Sequence, residues 1–446
     1  MKRFFHLFAA LLSAAILAAC GGGNNGLYSS TPLSVAHSQP ASGPYAAHRV
    51  TEKVLHSFKG GSDGAVPVNV ILTDMKGVLY GTTEQGGNSG CLSGDGCGTF
   101  FKVSTSGAES VLYGFKGGYT DGQYPKGGLI ERSGVLYGTT QTGGAYLSGT
   151  FFKITTSGKE TMLHSFGSGY DGIYPYARLI YVPANDMFYG TTLYGGSGSC
   201  YGGCGTVFSV TPSGKETVLH SFAGGQDGSL LAGTLLYSNG ELYGTTETGG
   251  GGGGSTCSNT SVPVGCGTIF SVSTSGTEKV LYSFTGGTDG AYPDGGLIDV
   301  NGTLFGMAQQ GGSGCGSGCG TIFSLGTSNS FRSVYKFQGP PNDGAFPWGN
   351  LTNVKGVLYG TTDLGGVSSA CPAVSSITGC GMVFRVTTGG NEQMLYSFKG
   401  NSDGAYANTT LLYVKGVLYG TTLFGGSGSC ARAGGNGCGT VFSLTP

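Results

Sequence analysis

Charge is scarce in this chain: only 10% of its 446 residues are Asp, Glu, Lys or Arg, and the formal net charge is −1. With no basic stripe to neutralise phosphates, neither nucleic acid nor electrostatic attachment to an anionic bilayer is expected. Tryptophan occurs once, at Trp348. Helical periodicity is missing, since no apolar stretch keeps a 3.6-residue spacing for long. Beyond residue 20 no apolar run approaches the roughly 18 residues that span a bilayer. The glycine-rich loops are not phosphate cradles, because no Walker lysine follows them.

Glycine is abundant instead, with 91 residues, and its placement is periodic. An Asp-Gly step recurs at Asp63, Asp121, Asp171, Asp227, Asp289, Asp343 and Asp403, a period of 50 to 62 residues. YGTT recurs from Tyr80, Tyr137, Tyr189, Tyr243, Tyr359 and Tyr419, with FGMA from Phe305 as a degenerate copy. One such unit is too small to bury a core alone and must stack on its neighbours, as blades or solenoid coils do.

Each unit carries four short β-runs, seen best between Asp171 and Phe222: LIYV, then FYGTT, GTVFSV and ETVLHSF. Asn239-Gly240, Asn301-Gly302, Ser133-Gly134 or Lys355-Gly356 joins the first two runs, and Ser213-Gly214 or its equivalents joins the last two. Short alternating runs joined by such pairs are hairpin signals, so each unit reads as a four-stranded antiparallel meander. Thr51 to Phe58 is a fourth strand with no first three before it, and Gly439 to Pro446 ends on a third strand with no fourth. Pairing these ends closes the ring and leaves no open sheet edge. The expected fold is all-β, a seven-bladed propeller over residues 50–446. Its long links, the Gly-Gly loops and the DGxYP crossovers, gather on one face, where binding is expected.

The amino terminus has a different character. Lys2 and Arg3 precede a short apolar run, the pattern of a secretory signal over residues 1–19. Leu17-Ala18-Ala19-Cys20 resembles the bacterial lipobox, which implies cleavage before Cys20, lipidation there and attachment to the membrane through several acyl chains. Gly21 to Gly23 follow without an aspartate, a pattern that by the same resemblance goes with outer-membrane sorting. Residues 20–49 are rich in Gly, Ser, Ala, Asn and Pro and read as a flexible tether.

Besides Cys20 there are twelve cysteines in six local pairs: Cys91/Cys97, Cys200/Cys204, Cys257/Cys266, Cys315/Cys319, Cys371/Cys380 and Cys430/Cys438. Each pair brackets the loop between second and third strands, and the second repeat lacks both members. Joint loss is what a disulfide predicts, because an orphan thiol is a liability outside the cytoplasm. Zinc would need four ligands at one point, whereas these pairs lie on different blades, so no metal is expected. Such short loops, once closed, contribute about 2 kcal/mol each in the chain-entropy account. The bridges are therefore expected to brace loops more than to determine the fold.

Little in the repeat demands catalysis, and no cofactor is expected. His56, His164 and His220 occupy a position filled elsewhere by Tyr113, Tyr282, Tyr335 and Tyr396, which favours packing over base chemistry. The Asp-Gly aspartates are too sparse for calcium and read as turn formers. Two repeat positions vary. Three residues after each aspartate stand Val66, Tyr124, Tyr174, Leu230, Tyr292, Phe346 and Tyr406, with Trp348 beside one of them. These either pack against the next blade or form an aromatic collar for sugar rings or a partner. After each YGTT or FGMA stand Glu84, Gln141, Leu193, Glu247, Gln309, Asp363 and Leu423, where polar groups could line the mouth of the ring. Carboxylates converging there are the best place to seek general acid–base work.

The spaced string LYGTTxxGG, CGTVFxVTxxGxExVLHSF and DGxxP resembles the GloVer tandem repeat of bacterial envelope proteins, across roughly residues 50–446. Departures are FGMA, the missing cysteine pair, and Leu231 and Ala407 at the proline position. The resemblance implies an envelope location and brings no established activity. The expected function is therefore a lipid-anchored, monomeric scaffold that binds a glycan or an envelope protein. The alternatives are a hydrolytic propeller enzyme, which requires Glu84, Glu247 and Asp363 to converge, and a purely structural surface protein.

Overall fold

Alternation of large apolar and small polar residues folds each repeat into the expected meander. In blade 3 the strands are Ile180–Val182, Met187–Gly195, Thr206–Val210 and Glu216–Ser221, paired antiparallel in that order. The computed structural model describes residues 50–446 except loop positions 69–70, 88–90, 92–94, 252–256, 258–264, 375 and 433–434. The leader, Cys20 and the tether therefore lie outside the described residues. Seven four-stranded sheets form a β-propeller, with the first strand of each blade against its neighbours' first strands at the axis. The seventh blade is completed by the other end of the chain. Thr51–Ser57 pairs with Thr440–Thr445, from Thr51 opposite Thr445 to Ser57 opposite Thr440.

Local chemistry explains the repeated words. Asn239 and Gly240 both have positive φ, 51° and 87°, the two-residue turn that suits twisted strands. In YGTT the glycine lets the third-strand phenylalanine cross the second strand, for a Cβ at Gly190 would lie 2.7 Å from the Phe208 ring. The last threonine meets the threonine of GTVF, with Thr192 Oγ1 2.9 Å from Thr206 Oγ1 and four other blades alike. FGMA replaces that threonine with Ala308, and Thr321 Oγ1 instead donates to the Asp289 carbonyl at 3.2 Å.

Between blades the packing is the same seven times. A fully buried phenylalanine at the end of each outer strand meets edge-on the third-strand phenylalanine of the next blade, at centroid separations of 5.0–5.2 Å. Such pairs contribute about 0.5–1.5 kcal/mol beyond their buried area. Phe58–Phe101 and Phe398–Phe442 flank the completed blade and match the rest, so the closing joint is packed like any other.

All six expected disulfides form: Cys91–Cys97, Cys200–Cys204, Cys257–Cys266, Cys315–Cys319, Cys371–Cys380 and Cys430–Cys438, with Cα separations of 5.1–5.5 Å. Each closes the loop between second and third strands at its root. Cys97, Cys204, Cys266, Cys319, Cys380 and Cys438 are fully buried, at 0% exposure, and belong to the hydrophobic clusters of the blades. The reason is positional: each stands two residues before a third strand, so its sulfur packs at the root of the loop rather than out along it.

The same six cysteines also tie blade to blade. Each carbonyl accepts the N–H of a residue in left-handed conformation in the next blade. Cys97 accepts from Tyr124, Cys266 from Tyr292, Cys319 from Phe346, Cys380 from Tyr406 and Cys438 from Val66, all at 2.9 Å. Cys204 accepts from Leu230 at 3.2 Å. In blade 2, which has no cysteines, Ser148 accepts from Tyr174 at 2.8 Å. The bridges thus hold the acceptors of the blade joints, and they mark an extracytoplasmic protein. Among the described residues no helix is long and apolar enough to cross a membrane, which leaves crossing by strands unaddressed.

At the outer edge each Asp-Gly aspartate closes its own turn. Asp63, for example, accepts the Lys59 N–H at 2.7 Å and lies 3.2 Å from His56 Nε2, whereas Asp121 accepts the Tyr113 hydroxyl at 2.7 Å. Histidine and tyrosine are interchangeable there because both can donate to the carboxylate. The next blade brings a glutamate to six of these aspartates: Glu52, Glu109, Glu160, Glu216, Glu278 and Glu392. In the remaining seam Phe331 takes that place and stacks on Tyr282 at 4.0 Å.

Burial first, and the facing aspartate second, push five of these glutamates up to about 7 and Glu216 to about 8. Raised carboxyls favour the folded state while protonated, and that contribution is lost as pH rises from the unfolded value of 4.5 through 7 to 8. His56 is held below its usual value by burial and opposes this trend only in acid. In melts between pH 5 and 8 the Tm should therefore be highest near pH 5 and fall toward pH 8. A Glu160→Gln/Glu216→Gln/Glu392→Gln variant should show a flatter profile, and an unchanged slope would contradict the assignment.

Candidate functional site at the axis

The site is built by a kink in the crossover. In every blade the residue three places after the Asp-Gly aspartate has φ of 56–62° although none is glycine, a costly conformation for a bulky side chain. Its N–H is held by the preceding blade at 2.8–3.2 Å. In five blades its carbonyl accepts the N–H of the residue that follows YGTT or FGMA, at 2.9–3.1 Å. These two bonds turn the chain, so the residue two places further on packs toward the axis beside the end of the second strand.

Those inward residues are Val68, Lys126, Tyr176, Ala232, Asp294, Trp348 and Asn408: seven copies of one repeat position with seven different side chains. Around them the repeat keeps its threonine, glycine and phenylalanine positions nearly constant. Sequence reasoning passed over this position except at Trp348. The signal that could have found it is divergence confined to one column of an otherwise uniform internal repeat.

Several of these side chains interact across blades. Lys126 Nζ lies 3.2 Å from Glu84 Oε1 and 5.0 Å from the centre of the Tyr176 ring, linking blades 1, 2 and 3. Lys126 and Tyr176 are buried, at 6% and 8% exposure. Burial raises the Tyr176 hydroxyl well above its ordinary value, with Asp294, Glu84, Glu247 and Asp363 adding to the effect. One phenol thus senses carboxylates from blades 1, 4, 5 and 6, which only a position near the axis allows.

Glu247 and Asp294 are both pushed up, by burial foremost, and for Glu247 by the negative charge of Asp294 as well. Asp363 is raised to about 7, by burial foremost and by Asp294 in part, while a hydrogen bond with Asn408 opposes the rise. Asp363 Oδ1 and Asn408 Oδ1 are nevertheless buried without a hydrogen-bond partner. Two residues beyond Tyr176, in the link before the strand Ile180–Val182, Arg178 donates to the Leu129 carbonyl at 2.9 Å, and burial lowers its guanidinium to about 10.

Glu84, Glu247 and Asp363 are thus common neighbours of Tyr176, together with Asp294, and Lys126 joins Glu84 to the Tyr176 ring. Gln141 is buried beside them, Gln309 is partly exposed, and Leu193 and Leu423 complete the series with apolar side chains. Tyr124, Tyr174, Tyr292, Phe346 and Tyr406 are the left-handed residues themselves. Phe346 and Tyr406 are buried, and Tyr124, Tyr174 and Tyr292 are partly so. Tyr174 meets Tyr194 edge-on at 6.0 Å, and Tyr406 meets Phe424 likewise at 5.8 Å. Trp348 is half-buried at the axis. One cleft of the outer surface is lined by Ser199, Cys200, Ala223, Gln226 and glycines, with no charged group.

The chain belongs to the Gloeobacter/Verrucomicrobia repeat family, whose pattern matches residues 28–258 and 203–433. No curated protein matches it. Among solved structures it is similar to a streptogramin B lyase, with TM-score 0.52 and 14% identity over 89% of this chain and 97% of the other. It is also similar to virginiamycin B lyase from Staphylococcus aureus, with TM-score 0.51 and 13% identity over 89% and 99%. Identities this low establish a shared propeller fold and nothing about activity.

The Lys126–Glu84 pair is buried enough for each charge to need the other. Lys126→Met should destabilise the protein by about 3 kcal/mol, because Glu84 is left charged and unpaired. The Lys126→Met/Glu84→Gln double variant should recover most of that loss in denaturant melts, and additive losses would show that the two do not interact.

Proposed function

We propose that this protein is a lipid-anchored binding scaffold of the bacterial envelope whose axial mouth takes a glycan. Its anchor is the lipidated Cys20, its location is the outer membrane, and it works as a monomer that closes its own ring. The observation that carries the binding reading is the divergent axial column, with the buried and unpaired Asp363 Oδ1 and Asn408 Oδ1 inside it. Uniform repeat positions serve the scaffold. Individual side chains at one convergent position serve an asymmetric ligand.

The chemistry narrows the ligand class. Carboxyls poised between charged and neutral both donate and accept, which suits hydroxyl groups, and Trp348 offers a flat face to a sugar ring. Four carboxylates against Lys126 disfavour uronates, sulfates and phosphates. A neutral or amine-bearing sugar fits best, and a protein ligand would have to present similar groups.

A hydrolytic role is the second reading, favoured by the carboxyls of Glu247 and Asp294, both raised by burial toward neutrality, where acid and base forms coexist.

A glycan array probed with the full chain tests the binding reading. Saturable binding to neutral or amino sugars should appear, and Trp348→Ala and Asp363→Asn should each weaken it by about tenfold or more. An empty array, or binding indifferent to both changes, would favour a structural surface protein. Release of new reducing ends from a bound glycan, abolished by Glu247→Gln, would support the enzyme instead.

A further inference from the structure

The outer seams hold a second polar constellation that the axial site does not use. In three of them one imidazole and two carboxylates meet: His56, Asp63 and Glu109; His164, Asp171 and Glu216; His220, Asp227 and Glu278. Within each trio the ligating atoms lie within 4.8 Å of one another. His56 Nε2 is 3.2 Å from Asp63 Oδ2 and 4.0 Å from Glu109 Oε2. His164 and His220 lie 3.0 and 3.4 Å from their aspartates. Ligand atoms of a tetrahedral zinc ion stand about 3.3 Å apart, so small side-chain rotations suffice.

Each trio also contains a carboxylate oxygen that is buried and without a partner. The Glu109 side chain is only 9% exposed, and its Oε1 has no hydrogen-bond partner. Glu216 Oε1 and Glu278 Oε1 are likewise buried and unpartnered, as are Glu52, Glu160 and Glu392 Oε1 in three tyrosine seams, so the imidazole nitrogen is what sets the three trios apart. Each trio draws its donors from three elements: the outer strand of one blade, the crossover, and the outer strand of the next blade. Facing carboxylates repel unless a proton or a cation lies between them, and a neutral imidazole supplies the nitrogen donor that favours a transition metal over magnesium or calcium.

We propose that these three seams are binding sites for divalent transition-metal ions of the zinc type. Each ion is held by His Nε2 and two carboxylate oxygens, with a fourth position open to water, and it clamps neighbouring blades at their rims. The remaining seams form a control within the same chain. There Tyr113, Tyr282, Tyr335 and Tyr396 replace histidine and donate a hydroxyl to the aspartate at 2.7–3.0 Å, filling the turn without offering a nitrogen.

The test is equilibrium dialysis of the metal-stripped full chain against zinc, beside a His56→Tyr/His164→Tyr/His220→Tyr variant. Tyrosine is the residue the other seams carry, so the variant should fold, and its Tm without metal should stay near that of the parent. The parent should take up three more zinc ions per chain than the variant, and zinc should raise only the parent's Tm. Should the variant fail to fold, Glu109→Gln/Glu216→Gln/Glu278→Gln serves as the second comparison, with the same loss of uptake expected. Equal uptake by parent and folded variant, or no uptake by the parent, would overturn the proposal. His6, His37 and His48 are common to all these chains and cancel in the difference.

Discussion

The structure depends on a backbone conformation most side chains avoid. Seven non-glycine residues hold φ near 60°, each at about 1–3 kcal/mol of strain, and each is held there by hydrogen bonds the chain cannot make otherwise. The N–H reaches the preceding blade, and in five blades the carbonyl returns to the blade's own second strand. Blade-to-blade contact, the direction of the inner strand and the placement of the axial residues all follow from that pair of bonds. The disulfides belong to the same device, because their second cysteines, from Cys97 to Cys438, carry six of the seven acceptor carbonyls.

Repetition separates what serves the scaffold from what does not. The Phe–Phe contact, the paired threonines and the aspartate-closed turns recur with almost no change, and where one fails a local substitute appears, as Phe331 on Tyr282 shows. The axial column has no such uniformity. Its carboxylates are costly to bury and its carboxamide oxygen is left unpaired, which scaffolding alone does not require. At the rim, histidine recurs in three seams and tyrosine in four, so one turn has two chemical versions.

Much of the fold was legible because short-range rules wrote it. Asn-Gly and Ser-Gly turns, period-two strands and a fourth strand stranded at the amino terminus define blade, count and closure. Paired loss of cysteines announced the disulfides, though not that Cys204, Cys266, Cys319 and Cys380 would be buried at the joints, since burial there is made by the neighbouring blade. The residues after YGTT were readable as occupying equivalent strand ends on one face of a ring. Less legible was anything made between blades. Glu109 meets Asp63 across 46 residues, and no local pattern announces that two carboxyls will share a seam. The left-handed φ of Tyr124 or Tyr406 was equally hidden, because tyrosine gives no warning of it. The inward turn toward Lys126, Asp294 and Asn408 depends on that conformation, so the richest part of the site could be read only from the folded ring.

If circular closure is what brings seven different side chains to one axis, the two ends of the chain must behave as a single sheet. Native-state hydrogen exchange measures this directly at the amides of Thr51–Ser57 and Thr440–Thr445. The account predicts that the hydrogen-bonded amides of both segments are protected to the same degree and open in the same event as the interior strands of the other blades. Fast, independent exchange of Thr51–Ser57 while the remaining blades stay protected would show an open ring and contradict it.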